Sequence, residues 1–338
     1  MEIGQNLSKA GRGLSVGALR LVGRALLAPM AGVTDAGMRR AAQRRGATLA
    51  FSEMVASAGL LEADSECVGR AERVSGAPFA VQLVGCDPAS MAEAARRLAA
   101  LGADLIDINM GCPARRVAGA FAGSALMRDL DAATRILAAV VEASPVPVTL
   151  KTRLGWDDSQ RNAAALALAA ERVGIRLITV HARTRAQFYK GAADWAALRE
   201  IVAAVAIPVV VNGDCKSLAD AQQMLAASGA RAVMIGRGAI GSPWLVGAIA
   251  RSLATGRPLE LPSPALRRED ALEHLDGLLC SMGAQAGLRH ARKHLAAYAA
   301  AEGAPEPLRR ELVTTDNAEH AKAALARAFD AADERAAA

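Results

Sequence analysis

Short apolar runs of strand length recur along the chain, separated by stretches of helical character. The runs are Ala25–Ala28, Thr48–Phe51, Phe79–Val84, Leu105–Ile108, Val146–Leu150, Leu177–Val180, Val209–Val211 and Ala232–Ile235. Between them lie Ala/Leu/Arg-rich segments, among them Ala89–Leu101, Asp131–Val141, Asn162–Val173, Asp194–Val205 and Leu218–Ala227. Continuous apolar runs predict strands buried on both faces, as in a parallel sheet. Strand alternating with helix predicts βαβ units. Eight units over about 240 residues match an α/β fold of the (β/α)8, or TIM-barrel, kind.

The pattern changes after Trp244. A helix is expected to about Leu253, and a break follows at Thr255–Pro258 and Pro262–Pro264. From Arg267 onward the chain is rich in Ala, Leu, Arg and Glu without β-branched runs, which predicts three or four helices. The expected organisation is an N-terminal extension over 1–24, a barrel over 25–255 and an all-α C-terminal domain over 264–335.

Composition narrows this picture. Hydrophobic residues make up 52% of 338 but aromatics only 3%, so Ala, Leu and Val must fill the core. No apolar run approaches the roughly 18 residues a membrane span needs, and residues 1–24 lack the apolar stretch of a signal peptide. The five cysteines (Cys67, Cys86, Cys112, Cys215, Cys280) are scattered without a CxxC pair. That suits free thiols in a reducing cytoplasm, with neither a disulfide frame nor a zinc site; no metal is expected. A monomer is expected. The net charge is +6 and the pI about 9.4. The charge is uneven: residues 263–338 hold 10 Lys/Arg against 12 Asp/Glu, and the preceding residues 30 against 22. A basic barrel half admits a polyanionic partner such as nucleic acid.

In a (β/α)8 barrel the chemistry sits at the C-terminal ends of the strands. Those positions hold Pro29, Met30 and Ala31 after the first strand and Gln82 in the third. Asn109 and Cys112 follow the fourth, Lys151 and Arg153 the fifth, and His181 the sixth. Asn212, Gly213 and Asp214 follow the seventh, Gly236 and Arg237 the eighth. Polar tips on otherwise apolar strands need partners, and several converging on one face favour a ligand site. Glycines after the last two strands suit the phosphate site this fold often builds there. Gly236-Arg237-Gly238-Ala239-Ile240-Gly241 also matches a dinucleotide fingerprint, but the prolines around Glu260 stand where a further βαβ unit should be. Cys86 and Cys215 read as structural.

Six ordered motifs then acquire a common meaning. Leu27–Asp35, Asp107–Pro113, Lys151-Thr152-Arg153-Leu154-Gly155-Trp156, His181–Arg185, Asn212-Gly213-Asp214 and Met234–Arg237 resemble the tRNA-dihydrouridine synthases. Ala291-Arg292-Lys293-His294 extends the likeness to the bacterial B-type subfamily. The resemblance implies an FMN-dependent reduction of uridine to 5,6-dihydrouridine in the D-loop of tRNA, with NADPH (or NADH) as hydride source. By similarity, Pro29, Met30, Ala31 and Gln82 line the flavin, and Lys151 and His181 contact its ring or phosphate. Asn212, Gly213, Asp214, Gly236 and Arg237 hold the ribityl phosphate. Cys112 is the general acid, and Asn109 and Arg153 face the uracil. The basic run Arg289–His294 is a candidate grip for RNA phosphates. Two other readings stay open: an FMN reductase of free pyrimidines, and a non-catalytic RNA-binding barrel.

Overall fold

A computed structural model describes residues 13–337, with side chains as far as residue 330. Its centre is a closed parallel barrel in the order β10-β3-β4-β5-β6-β7-β8-β9. The strands are β3 (Ala25–Leu27), β4 (Leu49–Ala56), β5 (Ala80–Val84), β6 (Leu105–Met110), β7 (Val148–Arg153), β8 (Ile178–His181), β9 (Val209–Asn212) and β10 (Ala232–Ile235).

Side-chain period sets the layers. In β6, Ile106, Ile108 and Met110 belong to the large core shared with the outer helices, while Leu105 packs with barrel-interior residues. Asp107 and Asn109 therefore share the interior face with Leu105. The apolar runs hide this alternation, because the polar interior residues lie toward the strand ends. β4, β6 and β7 consequently run beyond the expected Phe51, Ile108 and Leu150, to Ala56, Met110 and Arg153.

The predicted extension 1–24 divides. Residues 1–12 lie outside the described residues. The rest contains a hairpin of β1 (Leu14–Val16) and β2 (Leu19–Leu21), turned at Gly17 with φ +60°. Leu14, Val16 and Leu21 are buried against Leu26, Leu49, Phe51, Leu105 and Leu177, near the N-terminal ends of the barrel strands. The hairpin thus plugs the end opposite the polar tips. Three-residue strands are too short for periodicity to reveal.

The helix Trp244–Thr255 joins the two halves. Beyond it come helices Pro264–Met282, Ala284–Ala301, Glu306–Thr314 and Ala318–Ala337, around a separate core. Trp244 belongs to that second core. Its ring stacks on Tyr298 at 5.8 Å and meets Phe329 edge-on at 6.4 Å. Asp270, buried on the first C-terminal helix, accepts hydrogen bonds from Arg45 Nε and Nη2 (2.6 and 3.0 Å) and Arg44 Nη1 (3.1 Å) on the first barrel helix, Ala36–Arg44, and its C-cap. Trp244→Ala is expected to cost about 3–5 kcal/mol by opening a cavity at this seam. Urea denaturation measures that loss, and a loss below about 1 kcal/mol would show that the two cores are not joined there.

The glycines of the fingerprint-like run have packing reasons. A Cβ on Gly238 would sit 2.2 Å from the Cys215 carbonyl oxygen, and one on Gly241 would sit 2.4 Å from that of Ala297. Among the described residues no helix is long and apolar enough to cross a membrane.

Candidate active site

The polar interior residues meet across strands in two layers. Register places Gln82 of β5 beside Asp107 of β6, and Asp107 beside Thr149 of β7. Gln82 Nε2 donates to Asp107 Oδ2 (2.7 Å), and Thr149 Oγ1 donates to Asp107 Oδ1 (2.7 Å). Above them Asn109 Nδ2 donates to Gln82 Oε1 (2.8 Å). Asn109 Oδ1 then accepts from the backbone N–H groups of Gly111 (3.1 Å) and Cys112 (2.9 Å).

This chain has a direction. An ionised carboxylate only accepts, so it takes the amino end of Gln82, and the Gln82 carbonyl then takes the amino end of Asn109. Asn109 is left presenting its oxygen to the loop that carries Cys112. Asp107 thus fixes, through two amides, where the thiol stands. Burial pushes the Asp107 carboxyl up to about 6, against its hydrogen bonds from Gln82 and Thr149 and the charge of Lys151.

Further contacts hold the thiol loop from the other side. Arg153 Nε donates to the Gly111 carbonyl (2.7 Å), and Ser124 Oγ to the Cys112 carbonyl (2.7 Å). Gly123 has φ +60°, and a Cβ there would press on Val117 and on the Cys112 carbonyl. Cys112 itself is half-buried.

Arg153 is 1% exposed, and its Nη1 donates to the carbonyls of Thr184 (3.0 Å) and Phe188 (2.8 Å). Its guanidinium packs 5.4 Å from the Tyr189 ring centre. It thus staples the Cys112 loop to the loop after β8.

Lys151 lies beside Asn109 in register. Among the described residues its Nζ makes one hydrogen bond, to Asn212 Oδ1 (3.2 Å), and Asn212 Nδ2 donates to the Met234 carbonyl (2.8 Å). Burial, then the charge of Arg153, lowers Lys151 to about 8. His181 is buried and kept neutral by burial and by Lys151, Arg153, Arg183 and Arg237.

Asp214 turns its carboxylate to protein cations. It accepts from Arg183 Nη1 (3.0 Å) and Nη2 (2.5 Å) and lies 3.4 Å from Arg237 Nη2. Its φ is +62° and that of Gly213 is +124°, a tight turn after β9. Arg237 stacks on the exposed Tyr189 at 4.9 Å. Met30 lies against Gly236, since a Cβ there would stand 3.6 Å from Met30 Sδ. Glu53 accepts from the Gly32 N–H and so ties down the loop holding Pro29, Met30 and Ala31.

Asp107, Thr149 and Arg183 join the site although the strand-tip pattern gives them no role. A carboxylate inside an apolar strand was the available signal for the first. Of the other cysteines, Cys215 is buried, and burial pushes its thiol up to about 12. Cys86 is exposed and so has no packing role. The basic run in the tail splits: Arg292 pairs with Asp316 (2.7 Å), while Lys293 Nζ turns to His290 Nε2 (3.0 Å) and His294 is buried.

At the C-terminal end of the closed barrel's strands a half-buried thiol therefore stands with four clustered cations, Lys151, Arg153, Arg183 and Arg237, an arrangement that suits an anionic ligand. The profile of the dihydrouridine synthase family matches residues 26–334. A probable tRNA-dihydrouridine synthase of Rhodobacter capsulatus is 49% identical over 302 residues, covering 89% of this chain and 93% of that one. The tRNA-dihydrouridine synthase B of Xanthomonas axonopodis pv. citri is 48% identical, covering 85% and 86%. The chain belongs to the dihydrouridine synthase family. Morphinone reductase in complex with tetrahydroNAD shares its fold, at TM-score 0.52 and 15% identity over 75% of this chain and 92% of that one. So does 6-hydroxypseudooxynicotine amine oxidase from Pseudomonas geniculata, at 0.57 and 13% over 79% and 52%.

Proposed function

We propose that the protein reduces the C5=C6 bond of a D-loop uridine in tRNA, using FMN re-reduced by NADPH or NADH, in the cytoplasm. The observation that carries this reading is the thiol of Cys112, held by Asn109 at the mouth of a barrel whose interior offers a buried ammonium. Lys151 spends one hydrogen bond on Asn212, so it has donors left for an electron-rich ring or phosphate. That spare cation, with Arg183 and Arg237 beside the Gly213 and Gly236 turns, fits an anionic cofactor of the FMN kind. Such a cofactor, held there, would supply the hydride for C6 of uracil.

The remaining work falls to the chain. Cys112 gives its proton to C5, where negative charge develops, and is reprotonated from solvent. Asn109 orients the thiol loop while facing the base. Arg153 keeps the loop in place through Gly111, whatever contact it adds with uracil. Peptide amides of Gly213, Asp214, Gly236 and Arg237 hold the phosphate, and Asp214 orients Arg183 and Arg237 there. Pro29, Met30, Ala31, Gln82 and neutral His181 bound the ring. The helical domain over 264–335 grips tRNA, with Arg289 as an outward cation of the tail run. Nucleophilic attack by Cys112 needs a neighbouring base, and His181 instead lies 3.4 Å from Arg183 Nη1.

The pH dependence has two opposite signs. Lys151 titrates below its ordinary value, so the unfolded chain binds more protons between about pH 8 and 10.5, and its contribution to stability rises with pH there. Affinity for an anionic cofactor goes the other way, because the ammonium is lost as pH rises through about 8. Flavin fluorescence titration of the apoprotein should show FMN binding weakening from pH 7 to 9, with that slope absent in Lys151→Met. The proposed function itself is tested by oxidation of NADPH by the purified yellow protein with unmodified tRNA, uridine or free pyrimidine as acceptor. Turnover with tRNA alone supports it. Turnover with a free pyrimidine and not tRNA moves the protein to the free-base reductases.

A further inference from the structure

Away from the barrel mouth, four titratable groups converge where the two domains touch. Asp35 caps the helix Ala36–Arg44, its Oδ1 accepting from Met38 N at 3.0 Å, and closes the loop that carries Met30. Facing it from the helical domain are His274, on the helix Pro264–Met282, and His290 and His294, on the helix Ala284–Ala301. His294 Nε2 is 3.3 Å from Asp35 Oδ2, His290 Nε2 is 4.0 Å from the same oxygen, and His274 Nε2 is 2.9 Å from Oδ1. Asp35, His274 and His294 are buried. Among the described residues, Asp35 Oδ2, His274 Nε2 and His294 Nε2 nevertheless find no hydrogen bond of acceptable geometry. Buried polar atoms left poorly satisfied at one seam are costly unless something else satisfies them.

We propose that Asp35, His290 and His294 bind one divalent transition-metal ion, zinc by the character of the donor set, with a water completing the tetrahedron. Imidazole nitrogens with a single carboxylate suit zinc. His290 and His294 are four apart on one helix, the spacing that puts two imidazoles on one metal. Ligand atoms about 2.0–2.1 Å from zinc stand roughly 3.3 Å apart in a tetrahedron. The His294–Asp35 pair already has that separation, and the His290–Asp35 pair is wider by less than 1 Å. A supporting shell is present behind the carboxylate: His274 Nε2 lies 2.9 Å from Asp35 Oδ1, and Tyr298 Oη lies 2.9 Å from His274 Nδ1, which fixes that imidazole's tautomer.

A cation already stands beside the site. Lys293 Nζ is 3.0 Å from His290 Nε2, and an ammonium only donates, so this nitrogen presents its lone pair. Lys293 is the competitor a metal must displace, and Glu53, Arg70 and Arg39 are further charges near the cluster. The metal would staple the loop following β3 to the helical domain, independently of catalysis.

The test uses the untagged full-length protein, exchanged into metal-free buffer after equilibration with zinc chloride, and reads metal content by mass spectrometry. One zinc per chain is expected, with cobalt substitution giving the visible absorption of a four-coordinate site. His290→Ala, partly exposed and so tolerated by the fold, should lower zinc affinity about 100-fold, and Tyr298→Phe about 10-fold. Lys293→Met should tighten binding. Less than about a tenth of an equivalent in folded wild-type protein, with a Tm that added zinc leaves unmoved, overturns the proposal. So does zinc binding that His290→Ala does not weaken. Neither readout depends on activity toward tRNA.

Discussion

Cys112→Ala is expected to lower kcat for tRNA reduction by about 10²–10⁴-fold, the usual contribution of a positioned general acid. The flavin spectrum and tRNA affinity should be unchanged. The asymmetry follows from the contacts. The loop is held through the Cys112 peptide, by Asn109 on its N–H and Ser124 on its carbonyl. None of these bonds uses the side chain, so removing the sulfur leaves the loop standing. Single-turnover kinetics separate the steps: flavin reduction by NADPH stays at the wild-type rate, and reoxidation by tRNA slows. A variant in which both half-reactions slow equally would mean that Cys112 shapes the site instead of donating a proton.

Gln82→Leu should have the second-largest effect, although Gln82 lies in the layer below the thiol. It leaves Asp107 without one of its donors in a dry interior and frees the Asn109 amide to rotate. Loss of such a buried partner costs about 1–3 kcal/mol of stability. We expect kcat to fall roughly 10–100-fold as the Cys112 loop loses its fixed acceptor. Asp107→Asn should be milder, because the Thr149 hydroxyl can turn from donor to acceptor. Its signature is in pH. The raised Asp107 carboxyl contributes stability that is complete below about pH 4 and is lost as pH rises through about 6. Asp107→Asn should flatten the stability profile across that window. An unaltered profile in urea melts at pH 4 to 7 would contradict this assignment of the buried carboxylate.

Much of this architecture was legible in the chain. Eight buried strands show as apolar runs because their outer faces, such as Ile106, Ile108 and Met110, meet helices, and the change of pattern after Trp244 marks the second core. What stayed hidden was pairwise. Nothing in the sequence joins Gln82 to Asp107, or Arg183 to Asp214, because register creates those contacts. Arg153 shows the same limit: its position at a strand tip suggests substrate, while its bonds go to three backbone carbonyls. The histidine cluster was half visible, as His290 and His294 one helical turn apart. Its carboxylate, Asp35, lies some 250 residues earlier on the barrel side of the domain seam.

Reduction of a tRNA uridine by this barrel, with Cys112 as acid, has a direct readout in cells. It is tested most directly by mapping dihydrouridine, position by position, in tRNA from cells lacking the protein and from cells carrying only Cys112→Ala. Loss at the same D-loop position in both is expected. Full dihydrouridine at every position in both strains, with other dihydrouridine synthases removed, would contradict it.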